Sequence, residues 1–133
     1  MKYILLMSGT KAGVDMYRSC PAEDIEAHLR ALRAITQELT ESGEFVAMQR
    51  LGQPGEAKLV RGEKNGLPVT DGVFPESKEF LLGYWIVDVA TPERAYAIAG
   101  RLSAAPGPGG GPTNMPLEVR QVDPPGPVAT TTP

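Results

Sequence analysis

The sequence predicts a single α+β domain in which two helices pack on one face of an antiparallel sheet. Two stretches, 21–43 and 91–102, combine a helical spacing of apolar residues with residues that start and end helices. Two apolar runs, 2–8 and 80–89, are typical of buried strands. In chain order the elements follow as β-α-β, a hairpin, and β-α-β. That order is the ferredoxin-like βαββαβ plan with an extra hairpin.

The first strand and the first helix have the clearest patterns. Residues 2–8 are apolar at consecutive positions, which indicates burial on both faces, whereas 9–20 carry Gly, Lys, Asp and Ser and are predicted to form a loop. In the helix 21–43, Pro21 suits the first turn and Gly43 suits the end. The apolar stripe of this helix consists of Ile25, Leu29, Leu32, Ile35, Thr36 and Leu39.

The middle of the chain predicts a strand followed by a hairpin. Residues 44–51 are typical of a strand, and 57–72 contain the turn dipeptide Asn65-Gly66 between two short β-like runs. Pro68 cannot donate a backbone hydrogen bond, so it places the second arm of the hairpin at a sheet edge.

The last third of the chain predicts one helix, one loop and one strand. The helix 91–102 begins with Thr91 as its N-cap and Pro92 in its first turn. Residues 105–116 are rich in turn formers, and 117–122 alternate like a strand. The apolar stripe of this helix consists of Ala95, Ile98, Ala99 and Leu102.

The composition is that of an ordinary globular protein. With 133 residues, 41% hydrophobic and 22% charged, the chain has the length of one domain. We assign the domain to residues 1–122 and expect 123–133, which has few large apolar groups, to be a flexible tail. The net charge of −3 and the scattered basic residues argue against direct binding of nucleic acid.

The cysteine count and the apolar segments limit the cofactors and the location. Cys20 has no partner for an internal disulfide, and one Cys with one His does not make a convincing metal site. We expect no metal and no other cofactor. No stretch approaches the roughly 18 apolar residues of a membrane span, and the N-terminal run YILLM is shorter than the apolar core of a secretory signal. We therefore expect a cytoplasmic protein without a membrane contact.

One face of the predicted sheet is not covered by the predicted helices. Two helices can cover only one face, yet 2–8 and 80–89 carry apolar residues on both. A second copy of the chain is the economical cover for the other face. We therefore expect a homodimer joined sheet to sheet.

The segment VTDGVFPESKEFLLGYWIVDV, residues 69–89, matches a known motif, in which Asp-Gly-Pro-Phe and one variable position precede Glu, Ser or Thr, Lys and Glu. The matching residues are Asp71, Gly72, Phe74, Glu76, Ser77, Lys78 and Glu79, followed by the Gly83-Tyr84 step into the strand. Val73 stands where the motif has proline, and Pro75 follows it. Over about residues 1–122 the chain resembles the YCII-related, or DGPF-domain, family of dimeric α+β barrel proteins.

This resemblance implies a homodimeric ferredoxin-like fold with a cleft, in a family whose members are mostly uncharacterised. Some distant relatives are small-molecule enzymes with a His-Asp pair. Many DGPF members are encoded beside alternative sigma factors or are fused to them, which implies a link to transcription as an alternative to catalysis.

Asp71 and Lys78 are the candidate catalytic residues. Asp71 lies at the end of the hairpin and can act as an acid or base if burial raises its pKa. The alternative is a turn in which its side chain accepts backbone hydrogen bonds. Lys78 can anchor an anion or stabilise an oxyanion, a role that the resemblance favours. The alternative for Lys78 is a solvated ion pair with Glu76 or Glu79.

His28 is the only histidine and lies close to the apolar stripe of the helix 21–43. A buried neutral imidazole with one hydrogen bond is the favoured interpretation. A catalytic pair with Asp71 is the alternative, but the helix is expected to cover the sheet face opposite the cleft.

The candidate ligand-binding residues come from the motif and from the central strands: Phe74, Glu76, Ser77, Tyr84 and Tyr3. Phe74 and Tyr84 are predicted wall residues of a cleft near the dimer interface, since alternate residues of a strand share a face. Core packing or the dimer interface is the alternative role for the two tyrosines. Tyr17 and Arg50 are further candidates for the mouth of this cleft.

Two hypotheses about function follow. The first is a cofactor-independent small-molecule enzyme that uses acid-base chemistry, of the lyase, isomerase or hydrolase type. The second is a non-catalytic ligand-binding or regulatory protein, linked to sigma-factor-dependent transcription. A buried Asp71 carboxylate within reach of Lys78 in a closed pocket favours the first hypothesis. An Asp71 satisfied by backbone amides, with no cavity at the dimer interface, favours the second.

Overall fold

The computed structural model describes residues 1–66, the backbone of 68–71, and residues 79–123. The strands and helices are β1 Lys2–Thr10, α1 Lys11–Arg18, α2 Ala22–Ser42, β2 Phe45–Arg50, β3 Leu59–Gly62, β4 Pro68–Asp71, β5 Glu79–Asp88, α3 Pro92–Ser103 and β6 Leu117–Gln121. Short 3-10 turns lie at Pro54–Glu56 and Pro108–Gly110. Apart from Asp123, the predicted tail lies outside the described residues.

Four strands form one antiparallel sheet in the order β2-β5-β1-β6, and β3 pairs with β4 in a separate two-stranded sheet. This α+β architecture is consistent with the predicted ferredoxin-like plan. The hairpin predicted at Asn65-Gly66 is confirmed, since β3 and β4 flank it and Gly66 has a φ of 80°. Only glycine adopts that φ readily.

One prediction about the fold is wrong, because residues 9–20 are not a loop. β1 continues to Thr10, whose side-chain oxygen accepts a hydrogen bond from the Gly13 backbone N–H at 3.1 Å, and α1 follows directly. A cap of this kind stabilises a helix by about 1 kcal/mol. The sequence signal is weak because α1 has no fully buried residue. Half-buried Val14 and Tyr17 are too few to make a clear apolar stripe.

The core lies between the four-stranded sheet and the helices α2 and α3. Because strand residues alternate between faces, Tyr3, Leu5 and Met7 of β1 share the buried face with Trp85 and Val87 of β5. The helices contribute Leu32, Ile35 and Leu39 from α2, and Ala95, Ile98, Ala99 and Leu102 from α3. The predicted stripe of α3 is therefore confirmed in full.

The opposite face of the sheet carries an apolar patch. Ile4 and Leu6 of β1, and Tyr84 and Ile86 of β5, alternate with the core residues and so belong to this face. All four are half-buried in the single chain. The patch lies on the two central strands, where a solvated antiparallel sheet normally carries polar side chains.

Candidate functional site

A cavity of about 390 Å³ lies on the helix side of the sheet, where β1 leads into α1. Its lining comes from α1, from His28 of α2, from residues 50–54 at the end of β2, and from the loop before β6. These segments are far apart in sequence, so only the folded chain brings them together. The volume is that of a small-molecule site.

A β-bulge shapes the floor of this cavity. Met7 pairs with Gly83 but Ser8 pairs with Leu81, so Leu82 is an extra residue in β5, and its side chain lines the cavity. A Cβ on Gly9 would lie only 3.0 Å from Leu82 Cδ1. Glycine at position 9 therefore lets the floor pack closely beside the end of β1.

His28 is the buried polar side chain in the lining, with 8% of its surface exposed. Its Nδ1 lies 2.9 Å from the backbone carbonyl oxygen of Pro106. A carbonyl oxygen only accepts, so Nδ1 donates and carries the proton. In the neutral ring Nε2 then has a free lone pair, and it has no hydrogen-bond partner among the described residues. This arrangement agrees with the buried, singly bonded imidazole that the sequence predicts.

Burial lowers the pKa of His28 below its usual value, and the positive charge of Arg50 lowers it further. The hydrogen bond to Pro106 acts in the opposite direction and is weaker than the effect of burial. His28 is therefore a neutral base at physiological pH.

Tyr17 of α1 packs its ring edge to face with the His28 ring, at a centroid distance of 5.2 Å and an interplanar angle of 68°. Its hydroxyl is buried and has no hydrogen-bond partner in the described part of the chain. Burial raises the pKa of this phenol, so it stays protonated. Tyr17 thus holds the imidazole in place on one side.

Two arginines line the cavity. Arg50 is exposed at the end of β2, and its charge lowers the pKa of both Tyr17 and His28. Arg18 of α1 donates from Nη1 to Gln53 Oε1 at 3.0 Å, which joins α1 to the segment after β2. The sequence predicts Tyr17 and Arg50 at the mouth of a cleft near the dimer interface, whereas both line a cavity on the helix side.

The structure places the residues predicted from sequence in different regions. Tyr3 is 6% exposed within the core, Tyr84 belongs to the apolar patch on the opposite face, and neither lines the cavity. Asp71 ends β4, where its backbone pairs with Leu59. The remaining candidates lie outside the described residues: Phe74, Glu76, Ser77 and Lys78. The proposed roles of all seven residues stay predictions.

The sequence predicts the inward position of His28 but not its place in the lining of this cavity. The available signal was a lone ionisable residue beside an apolar helical stripe. That signal does not reveal that Pro106, 78 positions away, fixes the tautomer.

Within the described ranges, no three His, Cys, Asp or Glu residues are grouped so that they could hold a metal ion. None of the described helices combines the length and the apolar character needed to cross a membrane.

The fold and the cavity together define an α+β protein with a cavity of small-molecule size between its sheet and its helices. A family model described as YCII-related domain matches residues 1–107. The chain belongs to the YCII-related domain family. It is also 34% identical over 83 residues to the uncharacterized protein R00369 of Rhizobium meliloti (strain 1021), a match that covers 62% of this chain and 67% of that protein.

Proposed function

We propose that this chain is a cofactor-independent small-molecule enzyme that uses acid-base chemistry in the cavity around His28. The single observation that carries the proposal is the neutral imidazole whose Nδ1 donates to Pro106 and whose Nε2 has no hydrogen-bond partner in the described part of the chain. A base of this kind, in a cavity of small-molecule size, suits proton transfer in a lyase, isomerase or hydrolase reaction.

In the proposed step, Nε2 accepts a proton from a carbon acid or from a bound water. The electron pair of the broken bond moves into the substrate, and the ring becomes an imidazolium that returns the proton later. The Pro106 carbonyl stabilises this imidazolium through the Nδ1–H bond. Arg50 supplies a positive charge near the negative charge that develops on the substrate.

Asp71 and Lys78 keep their proposed roles as a second acid or base and as an anion anchor, and the chain connectivity supports both. The Leu59–Asp71 pair lies at the open end of the hairpin, and the chain reaches that end directly from Pro54, which lines the cavity. Lys78 directly precedes Glu79, which pairs with Thr10 at the start of α1.

The test of the proposed function uses 5-nitrobenzisoxazole, a neutral aromatic compound. A base removes the proton from its C3, the N–O bond breaks, and a coloured cyanophenolate forms. We expect the protein to promote this ring opening with saturation kinetics and to depend on His28. Turnover that is the same with and without the His28 side chain would contradict the proposal.

Asp71→Asn and Lys78→Met are each expected to lower this turnover by about tenfold, because one group transfers protons and the other stabilises the phenolate. The matched controls are Glu63→Gln and Lys64→Met, which change the same charges near the tip of the hairpin. Full activity in Asp71→Asn, with normal folding, would remove Asp71 from the mechanism.

A binding or regulatory protein, linked to sigma-factor-dependent transcription, is the second candidate. The observation that favours it is the Tyr17 hydroxyl. This group is the second proton carrier beside His28, yet it has almost no accessible surface. A cavity with one base and no accessible acid among the described residues suits retention of a ligand as well as its conversion.

We also propose that the apolar patch formed by Ile4, Leu6, Tyr84 and Ile86 is the interface of a homodimer. Light scattering at micromolar concentration is expected to give twice the chain mass. Leu6→Lys places a charge in the patch and should give monomers, because burying an unpaired ammonium is unfavourable. Val60→Lys, on the exposed hairpin, is the control and should leave the mass unchanged. A wild-type monomer at this concentration contradicts the proposal.

A further inference from the structure

The charged side chains in the lining of the cavity are of one sign. Arg18 and Arg50 line it, and no Asp or Glu does among the residues that the structure describes. Glu56 lies near the rim, with Oε2 3.4 Å from the position of a Cβ on Gly52, but it forms no ion pair with either arginine. A cationic ligand would meet unfavourable charge here, and an anionic ligand would meet favourable charge.

These two arginines also differ from others in the same chain. Five arginines outside the cavity each have a carboxylate within 4.0 Å, namely Arg30, Arg33, Arg94, Arg101 and Arg120. By contrast, Arg50 has no hydrogen-bond or ion-pair partner among the described residues, and Arg18 bonds only the neutral amide of Gln53. Among the described residues, therefore, no carboxylate neutralises either of the two guanidinium groups at this cavity.

The rest of the lining is mostly apolar and includes several flexible thioethers. Met7, Leu82 and Met115 contribute to it from the sheet side, and Met16 and Val14 contribute from α1. Such a surface favours the apolar body of a ligand, and methionine adapts to its shape. The cavity of about 390 Å³ therefore has room for a ligand made of about a dozen groups, if each group takes the ~30 Å³ of a water molecule.

We propose that this cavity binds a small organic monocarboxylate, with its apolar body against the methionine and leucine side chains and its carboxylate against Arg50. The inference rests on the proposed function for the choice of site and adds the class of substrate. A planar carboxylate matches the two parallel N–H donors of one guanidinium. A phosphate ester carries more charge and is usually held by several cations or backbone N–H groups, which a mainly apolar lining does not offer.

The test compares three probes with the same aromatic body: phenylacetate, phenylacetamide and 2-phenylethylamine. They are anionic, neutral and cationic at neutral pH, and isothermal titration calorimetry measures the dissociation constant of each. We expect phenylacetate to bind about tenfold or more tightly than the amide, since hydrogen bonds to charged groups are the stronger ones. The amine should bind more weakly than either.

Arg50→Met is expected to weaken phenylacetate binding by about tenfold and to leave the amide unaffected. The matched control is Arg30→Met, which removes an exposed arginine of α2 outside the lining. Amide or amine binding as tight as phenylacetate, no saturable binding of phenylacetate, or an Arg50→Met variant with wild-type affinity would each overturn the inference.

These outcomes are separate from the test of the proposed function, because 5-nitrobenzisoxazole is neutral. If turnover depends on His28 but phenylacetate is not preferred, the proposed substrate class is wrong and the proposed function stands. If phenylacetate is preferred but no turnover is seen, the proposed ligand class stands and the hypothesis of a binding or regulatory protein is supported.

Discussion

The ring opening of 5-nitrobenzisoxazole is expected to be about 100-fold slower in His28→Gln than in the wild-type protein, since a placed general base contributes 10²–10⁴-fold. Glutamine has a similar size and keeps a hydrogen-bond donor for the Pro106 carbonyl, but it has no basic nitrogen. The lower rate should therefore result from the missing base and not from a change in folding. Stopped-flow or steady-state absorbance of the phenolate measures it.

The pH dependence of the same reaction gives an independent check. Burial holds the pKa of His28 below its usual value, so the neutral base is present above that pKa and is lost as the pH falls through it. We expect the wild-type rate to rise with pH to a plateau, with the midpoint of the rise below about pH 6.5, the ordinary histidine value. A rate that still rises well above that pH would assign the reaction to another base.

The control for this experiment is Met16→Leu. Met16 lines the cavity and is 65% exposed, and leucine has a similar volume with no basic group. Its rate should stay close to that of the wild type. Equal losses in Met16→Leu and His28→Gln would show that the cavity shape, and not the imidazole, controls the reaction.

Leu5→Ala is expected to lower the free energy of unfolding by about 3 kcal/mol. Leu5 is fully buried on the central strand β1, where its backbone pairs with Trp85 on one side and Val119 on the other. The substitution loses the hydrophobic free energy of burying the removed carbons. It also leaves a cavity that the rigid neighbouring strands cannot fill.

Urea unfolding at a fixed protein concentration measures this effect and keeps any contribution from association constant. Leu59→Ala makes the same chemical change on the exposed hairpin, where Leu59 is 42% exposed. It should change the stability by no more than about 0.5 kcal/mol. A Leu5→Ala variant as stable as Leu59→Ala would show that the core does not depend on this position.

The regular elements were predicted well where their signals are local. The stripe of α3 and the turn at Gly66 depend on residues close together in sequence, and both were confirmed. The helix α1 is not predicted from sequence, because it depends on the Thr10 cap and has no fully buried residue, so its eight residues show little apolar pattern.

The lining of the cavity comes from distant segments, which a sequence pattern does not bring together. Asp71 and Lys78 belong to one compact motif, and their roles stay predictions. The cavity combines Tyr17, His28 and Arg50, which are each named from the sequence but which no local pattern groups at one site. The floor of the cavity also depends on the bulge at Leu82, and the apolar run 80–89 contains no sequence signal that predicts an extra residue there.

By itself the sequence determined the class of fold and the inward position of His28, since helical and strand periodicities follow from local backbone geometry. The family follows from the motif that includes Asp71 and Lys78, and not from periodicity. The tertiary structure alone decided where the cavity lies, which nitrogen of His28 carries the proton and which arginines lack a carboxylate partner among the described residues. Those properties depend on contacts such as His28 with Pro106, between residues 78 positions apart. Hydrogen bonding and burial act through space, so no local pattern encodes them.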